Sequence, residues 1–436
     1  MVLEHVARYR QPSEVRSTPG GETRIFVATS LELPDPPLFF QGRLTRPRPT
    51  ADLLLALSRV VAARYHVPRA MLARILRESD PVVTCGLDRI RWEGFSACCS
   101  LYARLDLLPE SLEGALLAQG TTNVDFGAEM RAALARLRQD QVCRLAIGPH
   151  EVELDQVVER RVSLPLRWLK GFVEAQALQA GMELRYQLDA AEARRFLCSL
   201  PRTRGSAVVT SAGRGLRLSQ AEQGLRVAGL ERLRILEDVV RHACGLRIYA
   251  HPGGASAWEL VCEGARFHLV LSPETWRGFS GEGKMLEPLS REVASEDVES
   301  VRQALSWEPV LSPEGLAART GLSSATVTRA LAQLAGVGAV GYDLELGGYF
   351  RRRLPFDYSR VEALQPRLKS ARRLLASDGV RWEGARAWVR GGGVEHQVRV
   401  QGEKWRCTCP WFARHSGERG PCKHVLAAQL SQEEQP

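Results

Sequence analysis

The chain has 436 residues, more than one hydrophobic core can organise, so its length predicts two to four domains. With 44% hydrophobic and 25% charged residues, the composition is that of a globular protein and excludes a disordered or fibrous one. No apolar run of about 18 residues occurs, so neither a transmembrane helix nor a membrane partner is expected. The net charge of +9 is uneven: from Arg351 onward there are 17 Lys+Arg against 9 Asp+Glu, a balance of +8. Residues 1–350 carry 42 against 41, a balance of only +1. A basic patch of this kind marks contact with nucleic acid or another polyanion. The ten cysteines are scattered rather than framed for disulfides, and Met1–His5 lacks a basic stretch leading into an apolar core. A bacterial protein of the reducing cytoplasm is the expectation.

In chain order, the first fifty residues are broken by Pro and Gly, with a short strand predicted at Thr23–Thr29. Thr50 is placed as the N-cap of a helix running to Arg64, and a second helix is expected over Pro68–Arg77. Strand-like runs follow at Pro81–Thr84, Asp88–Trp92 and Cys99–Leu105. Glu129–Arg138 reads as helix, Arg144–Leu154 as strands, and Leu164–Ala180 and Asp189–Leu197 as helices. A mixed α+β N-terminal domain, 1–200, is expected to end there. An α+β domain over 201–290 is predicted from strands at Ala207–Ser211, Leu216–Ser219 and Leu225–Ala228. A helix at Leu230–Ala243 and strands at Gly245–Tyr249, Ala257–Cys262 and Arg266–Leu271 complete it as one sheet covered by a helix. The glycine-rich Glu274–Lys284 lacks the frame of a phosphate-binding loop.

Residues 291–356 carry three predicted helices, Ser295–Leu305, Pro313–Thr320 and Ala325–Leu334. Ser312 and Ser323-Ser324 sit as caps of the second and third. A hairpin about Gly347-Gly348 ends in Arg351-Arg352-Arg353. This order resembles the winged helix-turn-helix. In a DNA reader of that kind, Thr326, Thr328 and Arg329 on the third helix would face the groove, and Arg351, Arg352 and Arg353 would meet phosphate. The same module equally serves as a protein-docking platform. With a single arginine and no lysine on that helix, backbone contact of little sequence preference is the DNA mode favoured.

Residues 357–436 begin with a basic helix, Asp357–Ala376, whose Arg372 and Arg373 are further candidate phosphate contacts. A hairpin, Val380–Val389 and Glu395–Val400, leads into Cys407-Thr408-Cys409 and Cys422-Lys423-His424. Three thiolates and one imidazole complete a tetrahedral set for Zn²⁺ with no position left for water, which makes the site structural. Residues two apart on an extended strand share a side, so Cys407 and Cys409 can grip one ion. On a helix, two residues turn by about 200°, so Cys422 belongs on the turn before a helix and His424 on its first turn. His415 lies in the loop between the two pairs.

The C-x-C…C-x-H arrangement resembles the SWIM zinc finger, whose four ligand positions fall on Cys407, Cys409, Cys422 and His424. Cys85–Asp106, Gly120–Phe126, Arg167–Val173 and Trp276–Gly283 are also similar to bacterial proteins with this finger. The resemblance implies DNA or protein binding, and an association with AAA+ ATPases of the MoxR type and von Willebrand A-domain proteins. No metalloprotease, hydrolase-elbow or nucleotide-loop motif occurs, and Cys85, Cys98, Cys99 and Cys143 read as small buried hydrophobes. A non-enzymatic protein with one structural Zn²⁺ and no small-molecule substrate is expected. Its partner is nucleic acid, DNA ahead of RNA, or, in the adaptor reading, a protein of a multiprotein system.

Overall fold

In the computed structural model, residues 14–17, 23–26, 38–66, 81–162, 164, 166–213, 215–220, 223–276, 278–279, 293–354, 366–401, 404–417 and 419–433 are described. Strands β1 (Glu14–Ser17) and β2 (Thr23–Phe26) pair antiparallel within a first unit, residues 1–37. The second unit, from Leu38, opens with β3 (Phe40–Leu44), α1 (Pro47–Ala62), β4 (Val82–Cys85), β5 (Ile90–Phe95) and β6 (Leu101–Leu107). It continues through β7 (Leu112–Leu116), β8 (Gly120–Asn123), α2 (Ala128–Arg136), β9 (Cys143–Ile147), β10 (Glu151–Leu154) and β11 (Val157–Arg160). Then come α3 (Leu166–Ala180), β12 (Glu183–Asp189), α4 (Ala190–Cys198), β13 (Ala207–Ala212), β14 (Gly215–Ser219) and β15 (Leu225–Val227). After a 3₁₀ stretch, β16 (Ala243–Ala250), β17 (Ser256–Cys262) and β18 (Ala265–Leu271) form a meander. The helices α5 (Ser295–Ala304), α6 (Pro313–Thr320) and α7 (Ser324–Gly336) precede the hairpin β19 (Val340–Asp343) and β20 (Gly348–Arg351). The last segment holds α8 (Pro366–Ala376), β21 (Val380–Glu383), β22 (Arg386–Gly391), β23 (Val394–Gln401), β24 (Lys404–Cys407), α9 (Pro410–His415) and α10 (Lys423–Glu433).

An antiparallel eight-stranded sheet, ordered β12-β16-β17-β18-β6-β5-β4-β8, forms the centre of the second unit. Its two faces are chemically opposite because side chains alternate along each strand. On one face Ile90, Trp92, Leu101, Leu105, Phe267, Leu269, Trp258 and Leu260 join a single apolar core with α1 and α4. The other face carries Arg91, Glu93, Arg104, Asp106, Glu259 and His268, each at most 1% exposed. These charges are covered by the β19–β20 hairpin. Asp343 accepts from Arg91 Nη2 at 3.4 Å, the Tyr342 carbonyl from Arg104 Nη1 at 2.6 Å, and Arg104 pairs with Asp106 at 2.9 Å. Arg352 is ion-paired with Glu93 and lies over the Phe172 ring at 4.3 Å, while Arg91 lies over Phe350 at 4.0 Å. Burial alone would raise Asp106 and Asp343, but the positive charge of Arg104, foremost, holds both below the usual carboxylate range.

A five-stranded sheet, β11-β10-β9-β3-β7, packs on the same apolar core as α1. Gly42 of β3 faces Gly114 of β7 so closely that a Cβ on Gly42 would lie 2.4 Å from the Glu113 carbonyl oxygen. The last segment has its own core around Ala387, Val389, Val398, Phe412 and Leu426.

The α+β class is as expected, and most elements fall where the pattern places them. Three differences have physical causes. In the stretch expected as a 201–290 domain, β18 pairs with β6, so β16–β18 extend the sheet that holds β4–β6, whereas β13–β15 form a three-stranded sheet of their own. Helix α1 starts at Pro47, a residue pre-set for a first helical position, so Thr50 lies inside it, buried, rather than capping it. The Leu230–Ala243 helix is 3₁₀ over Leu230–Asp238, because its buried residues Leu230, Leu233, Leu236 and Val239 recur every third position and suit three residues per turn. The helix expected at Pro68–Arg77 lies wholly outside the described residues, as does the first part of Asp357–Ala376.

Breaking one side of the Glu93–Arg352 pair leaves a buried charge alone. Arg352→Ala should therefore cost about 3–5 kcal/mol in urea denaturation, with much of it recovered by an apolar pair at both positions. Depressed carboxylates contribute stability above their unfolded value of about 4 and lose it as pH falls through the lower folded values. Acid titration followed by tryptophan fluorescence should thus show the hairpin docked through that range and released only below it.

Candidate metal centre

Strand β24 delivers Cys407 at its last residue, in register with Val398 on β23 and so turned to the core side. Cys409 then caps α9: its Sγ accepts from the Phe412 backbone N–H at 3.3 Å, and Pro410 holds the first helical position. Cys422 stands before α10 in the same way, accepting from the Val425 N–H at 3.5 Å, and His424 lies on the first turn. Both placements follow the spacing read from the sequence. The four donor atoms lie within 4.8 Å of one another, and all four residues are buried. A tetrahedral zinc with bonds of about 2.0–2.3 Å needs donors separated by just under about 4 Å, so the set closes on one ion with small adjustments.

His424 turns Nδ1 toward the sulfurs, 3.9 Å from Cys407 Sγ. Its Nε2 faces Gly391, where a Cβ would approach to 3.2 Å, and the His396 ring lies 4.5 Å away by centroid. The electrostatics also call for a cation. A hydrogen bond from Cys407 pushes the Cys422 thiol down to about 4, and the same bond, with burial, pushes Cys407 up. Burial chiefly raises Cys409. Zinc binds thiolates, so loading this set releases the protons that its thiols carry. The Cys₃His group is positioned to bind one zinc ion, as a structural site with every ligand position taken.

Residues 396–431 match the family model of the SWIM zinc finger. The match ties the SWIM finger to the same four residues that the geometry brings together. None of the curated proteins matches this chain. Among solved structures, the chain resembles Proliferating Cellular Nuclear Antigen from Entamoeba histolytica at 10% identity and a TM-score of 0.35, over 54% of this chain and 99% of that one. The PCNA2-PCNA3 complex from Sulfolobus tokodaii is similar at 8% identity and a TM-score of 0.38, over the same 54% and 99%.

Two residues of the SWIM finger's support escaped the sequence reading. Arg367 on α8 donates from Nη1 to the carbonyls of Arg419 and Pro421, at 2.7 and 2.9 Å, and lies over Trp411 at 4.8 Å. It thereby fixes the loop that presents Cys422, yet in sequence it is one arginine of a basic run. Gly391, in a Gly-Gly-Gly turn, also leaves room for the imidazole. Trp405, Trp411 and Phe412 pack on the finger's core, and His415 lies against Trp411 rather than among the ligands.

The other predicted contacts are engaged to different degrees. Thr328 Oγ1 donates to the Ser324 carbonyl at 2.8 Å, Thr326 Oγ1 bonds Ser323 Oγ at 2.9 Å, and Arg329 Nε donates to the Ala325 carbonyl at 3.4 Å. Arg351 is half-buried and donates to Ser306 Oγ at 2.7 Å. Arg352, 4% exposed, is removed from any phosphate role by its pair with Glu93, which corrects that expectation. Arg353, Arg372 and Arg373 are exposed.

Cys422→Ser should release zinc in metal analysis and raise hydrogen exchange across 380–433, while β4–β6 and β16–β18 stay protected. Arg367→Met should keep the fold but weaken zinc retention against a chelator by about 10–100-fold, the usual range for a residue that orients a ligand from behind.

Proposed function

We propose that this is a non-enzymatic, zinc-stabilised protein that binds nucleic acid, DNA in preference to RNA, through phosphate contacts made by its C-terminal segment. The single observation behind this reading is a SWIM finger set in the part of the chain that holds nearly all the net positive charge. Zinc acts as a staple: it holds a short sheet and two helices whose own core is too small to fold unaided. Arginines on that frame then meet a polyanion with released counterions as the driving term.

Residues 293–354 are read as a winged-helix module turned inward. Its hairpin is committed to the charged face of the large sheet, and the hydroxyls of α7 are bonded within that helix. These contacts favour a structural or protein-docking role for the module, and they leave the finger as the nucleic-acid element. An adaptor holding a protein such as an AAA+ ATPase is the second reading, favoured by the same inward-turned hairpin.

Binding of labelled DNA and RNA by the full chain at two salt concentrations separates the readings. The nucleic-acid reading expects affinity to fall steeply with salt, by a log–log slope of about 0.7–0.9 per phosphate contact. Absence of binding at low salt, with a partner retained at high salt, would establish the adaptor instead.

A further inference from the structure

The four strands β21-β22-β23-β24 form one sheet whose inner face is filled by the finger's core and by Cys407. Its outer face is set by the opposite alternation. Register places Arg386 opposite Arg399 and Arg399 opposite Arg406, a row of three arginines across adjacent strands. All three are exposed. Like charges directly opposite one another destabilise a sheet, so the fold gains nothing from this row. Nor do the described residues neutralise it. Glu383, in register with Arg386, gives its carboxylate to Arg381 and to the Trp388 indole N–H at 2.8 Å. Among the described residues no carboxylate stands within ion-pair distance of Arg386, Arg399 or Arg406. In the next row Trp388, half-exposed, sits between Arg381 and Gln397.

We propose that this outer face is a binding surface for single-stranded DNA, with the Arg386–Arg399–Arg406 row on the phosphates and Trp388 as a platform for a base. The proposal rests on the nucleic-acid reading above and names the surface and ligand. Neighbouring strands lie about 4.8 Å apart, so the row presents guanidinium groups at a spacing a flexible single strand can follow. A sheet face has no projecting element to enter a duplex groove, whereas unstacked bases lie flat on an exposed aromatic ring. The row also depends on the metal. Arg406 precedes Cys407 on β24, so the zinc ligand that holds the strand on one side holds the third arginine of the row on the other.

The test is fluorescence anisotropy of labelled oligodeoxythymidine with the zinc-loaded full chain over a salt series. It runs beside an Arg386→Gln/Arg399→Gln/Arg406→Gln variant and a control, Arg194→Gln/Arg195→Gln/Arg217→Gln, at exposed arginines of the large unit, with zinc content confirming that each is folded. The first variant should lose about tenfold or more in affinity and about 2 in the salt slope, for three phosphate contacts at about 0.7 each, while the control changes little. Lysines at the same three positions should restore the slope. Trp388→Leu should weaken binding and abolish part of the tryptophan quenching seen on DNA addition. Binding unchanged in the first variant, or lost in the control, would overturn this surface while leaving the nucleic-acid reading intact. Tighter binding of duplex or of oligouridine would overturn the choice of ligand. No binding of any nucleic acid by the wild type would sink the broader reading and this one with it.

Discussion

Charges do not stay buried unless they are paired, and the second unit buries a whole layer of them. Arg91, Glu93, Arg104, Asp106, Glu259 and His268 line one face of the eight-stranded sheet. Exposed to an apolar cover they would cost several kcal/mol each. The β19–β20 hairpin sets Asp343 against Arg91 and Arg104, and Arg352, just after it, meets Glu93; Glu345 holds Arg247 and Arg266, the two arginines beside Glu259. That requirement fixes where the hairpin must sit, and with it the three helices that precede it. Residues 293–354 thus serve as the lid of a polar layer.

The consequence is a division of labour along the chain. The large sheet and its cover account for their own charges, leaving residues 1–350 nearly neutral. The uncompensated positive charge lies beyond them, on a segment with a separate small core and four donor atoms within 4.8 Å. Zinc and the arginine-bearing sheet are mechanically one object there, because Cys407 and Arg406 are neighbours on a strand whose two sides face the metal and the solvent. Arg367 extends this unit backward by holding the loop before Cys422 to α8.

Local chemistry was legible in the sequence; the destination of surfaces was not. The ligand set could be read because strand and helix periodicities dictate which of two closely spaced residues share a side, and both C-x-C and C-x-H obey that arithmetic. Serine caps at Ser312 and Ser323 were legible for the same reason: a cap bonds within three residues of itself. The α+β class and most strands followed from alternation and turn residues.

What only the tertiary structure decided was which polar faces meet water. In Ile90–Phe95 and Leu101–Leu107, alternation of apolar and charged residues is the pattern of a half-exposed sheet, yet both faces are buried because a hairpin more than 200 residues away covers the charges. Arg352 and Arg386 look alike in sequence, each an arginine in a stretch whose pattern predicts a strand. One is sealed against Glu93 and Phe172, the other stands in solvent in register with Arg399. The pairing of β18 with β6, which joins the β16–β18 meander to the β4–β6 strands, is likewise a long-range contact with no local signature. Sequence determined the zinc site because its rule is local; the long-range pairing of strands and charges determined which surfaces remain exposed for a partner.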